Sequence, residues 1–61
     1  MVLCIVDDNG NVDMKLHVIG LSYHKRNNEI RYVRLNYKNE IVKDSIKLDT
    51  TKYFVVEEYN E

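Results

Sequence analysis

Proline, alanine, glutamine and tryptophan are absent from this chain, and glycine occurs only 2 times. A chain without alanine but rich in valine, isoleucine and tyrosine disfavours helix and favours strand. With no proline, the breaks between elements fall to Asn, Asp and Gly clusters. The only cysteine is Cys4, so no disulfide forms within the chain. Cys4 lies in the apolar run Val2-Leu3-Cys4-Ile5-Val6 and reads as a small buried hydrophobe. The alternative, a reactive thiol, needs an electropositive, accessible setting. A lone cysteine fits a reducing compartment.

Long apolar runs are also missing. None approaches the ~18 residues of a membrane span, and no basic-then-apolar leader opens the chain. The expected location is the cytoplasm. Nine basic and ten acidic residues nearly cancel, so recognition by charge must come from local patches. The codons of the abundant Asn, Lys, Ile and Tyr are AT-rich, which suggests a low-GC bacterium or one of its phages. At 61 residues the chain holds one small domain, 1–61, and buries about 60% of its unfolded surface. No repeat, linker or low-complexity segment divides it.

Two turns, Asn27-Asn28 and Lys38-Asn39, punctuate the middle, since Asn tolerates the positive φ of tight hairpins. The flanking runs 19–26, 29–37 and 40–48 form a three-stranded antiparallel meander. Before it, Val2 to Val6 is apolar on both faces, as in a covered central strand. Asp7 to Asn11 is a turn. Val12 to Val18 alternates, with Val12, Met14, Leu16 and Val18 on one face and Asp13, Lys15 and His17 on the other. Gly20 interrupts and predicts a bend in one long strand from Val12 to Lys25. Leu48 to Thr51 is a turn or one turn of 3₁₀ helix. Lys52 to Glu58 is a final strand with Tyr53 and Val55 on one face, Phe54 and Val56 on the other, covered on both. The expected fold is all-β: a small antiparallel meander closing into an SH3-like or OB-like barrel of five to six short strands. The resemblance is architectural and rests on no family motif.

Read as two-residue loops, the turns place Arg26 opposite Glu29, Tyr23 opposite Tyr32, and Leu35 opposite Val42. One face then carries Val33, Leu35, Val42, Ile46 and Leu48 as the core. The other carries Tyr23, Tyr32, Lys25, Arg34, Lys43 and Lys47, with Ile19, Leu21, Ile30 and Ile41 among them. Paired aromatics beside cations suit a protein partner, and also single-stranded nucleic acid. The plain alternative is that cross-strand tyrosines only stabilise the sheet, or that the final strand covers them as a second small core.

Other candidates are thinner. Asp7, Asn9, Asn11 and Asp13 alternate like calcium ligands, but Val12 stands where the sharp turn needs glycine and Val18 where a bidentate glutamate belongs. His17 and His24 are too few for a zinc site without convergence of Cys4 and acidic residues. They are also the best general bases, yet no nucleophile motif or phosphate loop accompanies them. The tail Glu57 to Glu61 is expected to fray or cap the last strand, or to act as an acidic mimic of nucleic acid. The reading is a non-enzymatic regulator or inhibitor of a protein partner, with no cofactor, no metal and no membrane. Its alternatives are a nucleic-acid-binding barrel and a subunit that pairs with itself through a strand edge.

Overall fold

The computed structural model describes residues 1–58. The last three positions of the acidic tail, on which a capping role was expected, lie outside them. Six strands follow one another: β1 (Val2–Val6), β2 (Val12–His17), β3 (Gly20–His24), β4 (Glu29–Leu35), β5 (Ile41–Lys47) and β6 (Tyr53–Glu57). They pair antiparallel into two three-stranded sheets, β2-β1-β6 and β3-β4-β5. The all-β class and the antiparallel meander are as the sequence indicates; the pairings form two separate ladders.

β1 is the centre of the first sheet and all five of its residues are buried. Leu3 and Ile5 point towards the second sheet and join Val18, Ile30, Tyr32 and Leu48 in the main core, with Leu16, Leu21, Ile46 and Phe54 packed around it. Val2, Cys4 and Val6 form a separate cluster on the opposite face. Cys4 is thus the buried small hydrophobe expected.

The alternation expected from Val12 to Val18 breaks at its start. A bulge interrupts the β1–β2 ladder, so Ile5 faces Met14 but Val6 faces Val12. The extra residue, Asp13, absorbs the slip. Val12 therefore joins the outer face with Lys15 and His17, exposed, instead of the core face with Met14 and Leu16. The bend also comes earlier than Gly20. Val18 N–H donates to Met1 O at 3.0 Å, and Ile19 N–H donates to Val33 O at 2.8 Å. One peptide hands the chain from the first sheet to the second, and the single strand from Val12 to Lys25 becomes two. The β5–β6 link is a turn, not a 3₁₀ helix: Lys52 N–H donates to Asp49 O at 3.1 Å. β6 alternates as expected, but its outer residues Tyr53 and Val55 are exposed, not covered.

Both central loops are longer than two residues. After β3, His24 pairs with Glu29, leaving Lys25 to Asn28 as a four-residue loop with Asn28 at φ 50°. After β4, Asn36 and Glu40 close a three-residue loop, with Asn39 at φ 60°. Asn36 Oδ1 explains this loop: it accepts from Lys38 N–H at 2.8 Å and Glu40 N–H at 3.0 Å. Asp7 does the same in the first hairpin, accepting from Asn9 and Asn11 N–H at 3.0 and 2.8 Å, with Gly10 at φ 84°. The two loops share one construction, a side-chain acceptor at the first position and a left-handed residue three later.

Candidate functional site

The longer loops reset the register, and with it the expected tyrosine-basic surface. Adding two residues at Asn27-Asn28 moves Tyr23 opposite Ile30, and Leu21 opposite Tyr32. The tyrosines stay on one face but are diagonal neighbours, not a direct pair. Adding one residue at Lys38-Asn39 exchanges the faces of β5. Leu35 meets Ile41 instead of Val42, Tyr32 meets Asp44, and Lys43 meets Val33.

The core then forms on the tyrosine face, not on the Val33–Leu35 face. Tyr32 is only 7% exposed. Tyr23 is partly open; its hydroxyl donates to Asn28 Oδ1 at 2.8 Å, and its ring lies tilted against Phe54 of β6, 5.1 Å between centroids. Phe54 of the final strand thus touches Tyr23 but leaves it exposed, and Tyr32 belongs to the main core, not to a second small one. Arg34 is half-buried on this same side, opposite Val42, and Lys25 sits in the β3–β4 loop. Lys43 and Lys47 fall on the other side of the sheet, opposite Val33 and Glu29. The sheet itself thus separates the aromatic half of the expected site from its two β5 lysines.

That outer side of β3-β4-β5 carries the surface features. Cross-strand rows run Gly20–Val33–Lys43, Ser22–Arg31–Ser45 and His24–Glu29–Lys47, and Leu35 pairs with Ile41 beyond them. Gly20, Ser22 and Ser45 are small, so an open depression of about 630 Å³ forms between the taller Arg31, Val33 and Lys43. Arg31 Nε donates to Glu29 Oε1 at 2.7 Å. Lys43 and Lys47 join no ion pair among the described residues. At the hairpin end Leu35, Tyr37 and Ile41 are 46%, 90% and 66% exposed, with Lys38 Nζ 5.6 Å from the Tyr37 ring centroid.

Ser22 Oγ lies 3.1 Å from His24 Nε2, a nucleophile-to-base distance. The pair lies on an open strand, and Glu29, opposite His24, is engaged by Arg31. Such a face can hold a ligand by charge and apolar contact; it lacks an enclosure that would exclude water from a reaction. In the first hairpin Asp7 Oδ1 is committed to the backbone amides of Asn9 and Asn11. Among the described residues, no three His, Cys, Asp or Glu side chains converge.

Arg31, Leu35 and Tyr37 were not expected as surface determinants; Ile41 was expected on the same face as Lys43 and Lys47, and it lies there. The signal was present in the likeness of Asn36-Tyr37-Lys38-Asn39-Glu40 to Asp7-Asp8-Asn9-Gly10-Asn11. Both have an amide or carboxylate acceptor first and a residue tolerant of positive φ fourth, which gives a three-residue loop and the correct β5 face. No family model, curated protein or solved structure matches this chain.

Proposed function

We propose that this is a small non-enzymatic binding domain that regulates or inhibits a protein partner through the outer face of β3-β4-β5. The observation that carries the reading is the juxtaposition of exposed Leu35 and Ile41 with Arg31, Lys43 and Lys47 on one side of one sheet, with exposed Tyr37 in the adjoining β4–β5 loop. Apolar side chains of this size gain from leaving water, and Tyr and Arg are favoured contact residues. The cations select a partner with an acidic rim by charge complementarity. The transfer of the chain between sheets at Val18–Ile19 supports kinship with small SH3-like or OB-like barrels. A cytoplasmic setting, where the Cys4 thiol stays reduced, belongs to the same reading.

Nucleic acid is the second reading, favoured by the three cations on that face. It is weakened by the aromatics: Tyr32 is buried, and Tyr23 is on the opposite side, so the stacking platform is gone. Affinity capture from host lysate, with and without nuclease, separates the two. The expected result is a nuclease-resistant protein partner whose capture falls about tenfold or more in Ile41→Asp and in Lys43→Glu. Both positions are exposed, so melting temperature should hardly change. Equal capture by wild type and both variants would rule this face out. Loss of the captured material on nuclease treatment would favour the second reading.

A further inference from the structure

The two sheets have four edges, β2, β6, β3 and β5. An edge strand exposes unpaired N–H and C=O groups, and proteins blunt such edges with charges, bulges or shortness. β2 is bulged at Asp13 and carries Lys15. β5 carries Lys43, Asp44 and Lys47. β3 is short and polar at its middle, with Ser22 tied to His24. β6 is as short as β3 and ends on Glu57, but it has no bulge and no charge within its apolar run. Its register with β1 is unbroken, and Tyr53-Phe54-Val55-Val56 is a continuous apolar run. Tyr53, Val55 and Val56 are 51%, 42% and 37% exposed.

We infer that β6 is a self-association edge, and that its occupant is β6 of a second copy, paired antiparallel about a two-fold axis through Val55. The segment from Lys52 to Glu58 is cationic at its start and anionic at its end. Antiparallel pairing centred on Val55 sets Lys52, whose Nζ lies 2.7 Å from Asp13 Oδ2 of its own copy, opposite Glu58 of the second copy, twice. It also sets Phe54 opposite Val56, Tyr53 opposite Glu57, and Val55 opposite itself. Parallel pairing would instead align Lys52 with Lys52 and the glutamates with each other. A two-residue slip would part Lys52 from Glu58 and leave one strand end unpaired. The two-fold contact closes on itself, giving one six-stranded sheet and not a fibre. The outer face of β3-β4-β5 takes no part, so the partner reading and this one stand or fall separately. A chain of this size gains stability by such pairing.

Sedimentation equilibrium of the full chain, from about 10 μM to about 1 mM, tests it. The expected result is a concentration-dependent dimer. V55K and V55E are each expected to be monomeric, because like charges then face each other across the axis. Mixed together they should form a one-to-one heterodimer, since the axis brings the opposite charges into register. Val55 is exposed, so both variants should melt near wild type; if either fails to fold, E58K decides, with an expected dimer dissociation constant about tenfold higher. A wild-type monomer at about 1 mM overturns the proposal. So does a V55K dimer as tight as wild type, a mixture that stays monomeric, or open-ended polymer.

Discussion

Asn28 ties the β3–β4 loop to Tyr23 of β3 and to Leu48 just past β5. Its side-chain oxygen accepts the Tyr23 hydroxyl at 2.8 Å, its Nδ2 donates to Leu48 O at 3.0 Å, and its carbonyl accepts Leu48 N–H at 2.8 Å. Its backbone sits at φ 50°. These roles are separable. Asn28→Gly keeps the backbone and loses the side-chain bonds, for about 1–2 kcal/mol. Asn28→Ala loses the same bonds but keeps a Cβ in the left-handed region, which costs it about 1–2 kcal/mol relative to the glycine variant. Denaturant midpoints should fall in the order wild type, glycine variant, alanine variant. Equal midpoints for the two variants would show that the backbone conformation contributes nothing.

At the scale of elements, strand positions were legible because β-branched and aromatic runs stand out between Asn and Asp clusters. Register was not, because loop length is set by side-chain acceptors such as Asn36 Oδ1 that residue type alone does not reveal. One extra loop residue moved Lys43 and Lys47 across the sheet, and with them the candidate site. The bulge at Asp13 hid for a similar reason: its clean alternation in sequence conceals the two-for-one pairing. The β5–β6 turn offers a test by pH. Thr51 N–H and then the Thr50 hydroxyl hold the Asp49 carboxyl below its ordinary 3.8. Asp13, bonded to Lys52 Nζ at 2.7 Å, holds that ammonium above its ordinary 10.5. The Asp49 contribution is present above pH 3.8 and is lost as pH falls through the depressed value. The Lys52 contribution is present below pH 10.5 and is lost as pH rises through the raised value. Both groups are exposed, so the slopes should be shallow and reduced by salt. Chemical denaturation across pH should show Asp49→Ala flattening part of the acid limb and Asp13→Asn removing part of the alkaline one. An alkaline limb unchanged in Asp13→Asn would show that the Lys52 pair does not contribute.

For the whole molecule the question is whether two separate ladders make one cooperative unit. No strand pairing links the sheets among the described residues, but the core does, since Leu3 and Ile5 of β1 pack with Ile30 and Tyr32 of β4. Leu3 and Ile30 are 0% exposed. A single core of this size supplies about 3–5 kcal/mol, and truncating a buried leucine to alanine costs about 2–5 kcal/mol. The two magnitudes are comparable, so Leu3→Ala should leave much of the population unfolded at 25 °C. Because Leu3 is shared, β3-β4-β5 should be lost together with β2-β1-β6. Amide exchange at Ile30 and Tyr32 in the variant reads this directly: protection should collapse there as it does at Cys4. Lys15→Ala, exposed on β2, is the control and should shift stability by no more than about 0.5 kcal/mol. Persistent protection at Ile30 in Leu3→Ala would mean that the second sheet folds alone. The surface built on it would then survive damage to the first sheet. If protection is lost throughout, the binding face of β3-β4-β5 depends on a leucine in the other sheet. In that case, binding lost through a core substitution cannot be assigned to the face without a stability measurement beside it.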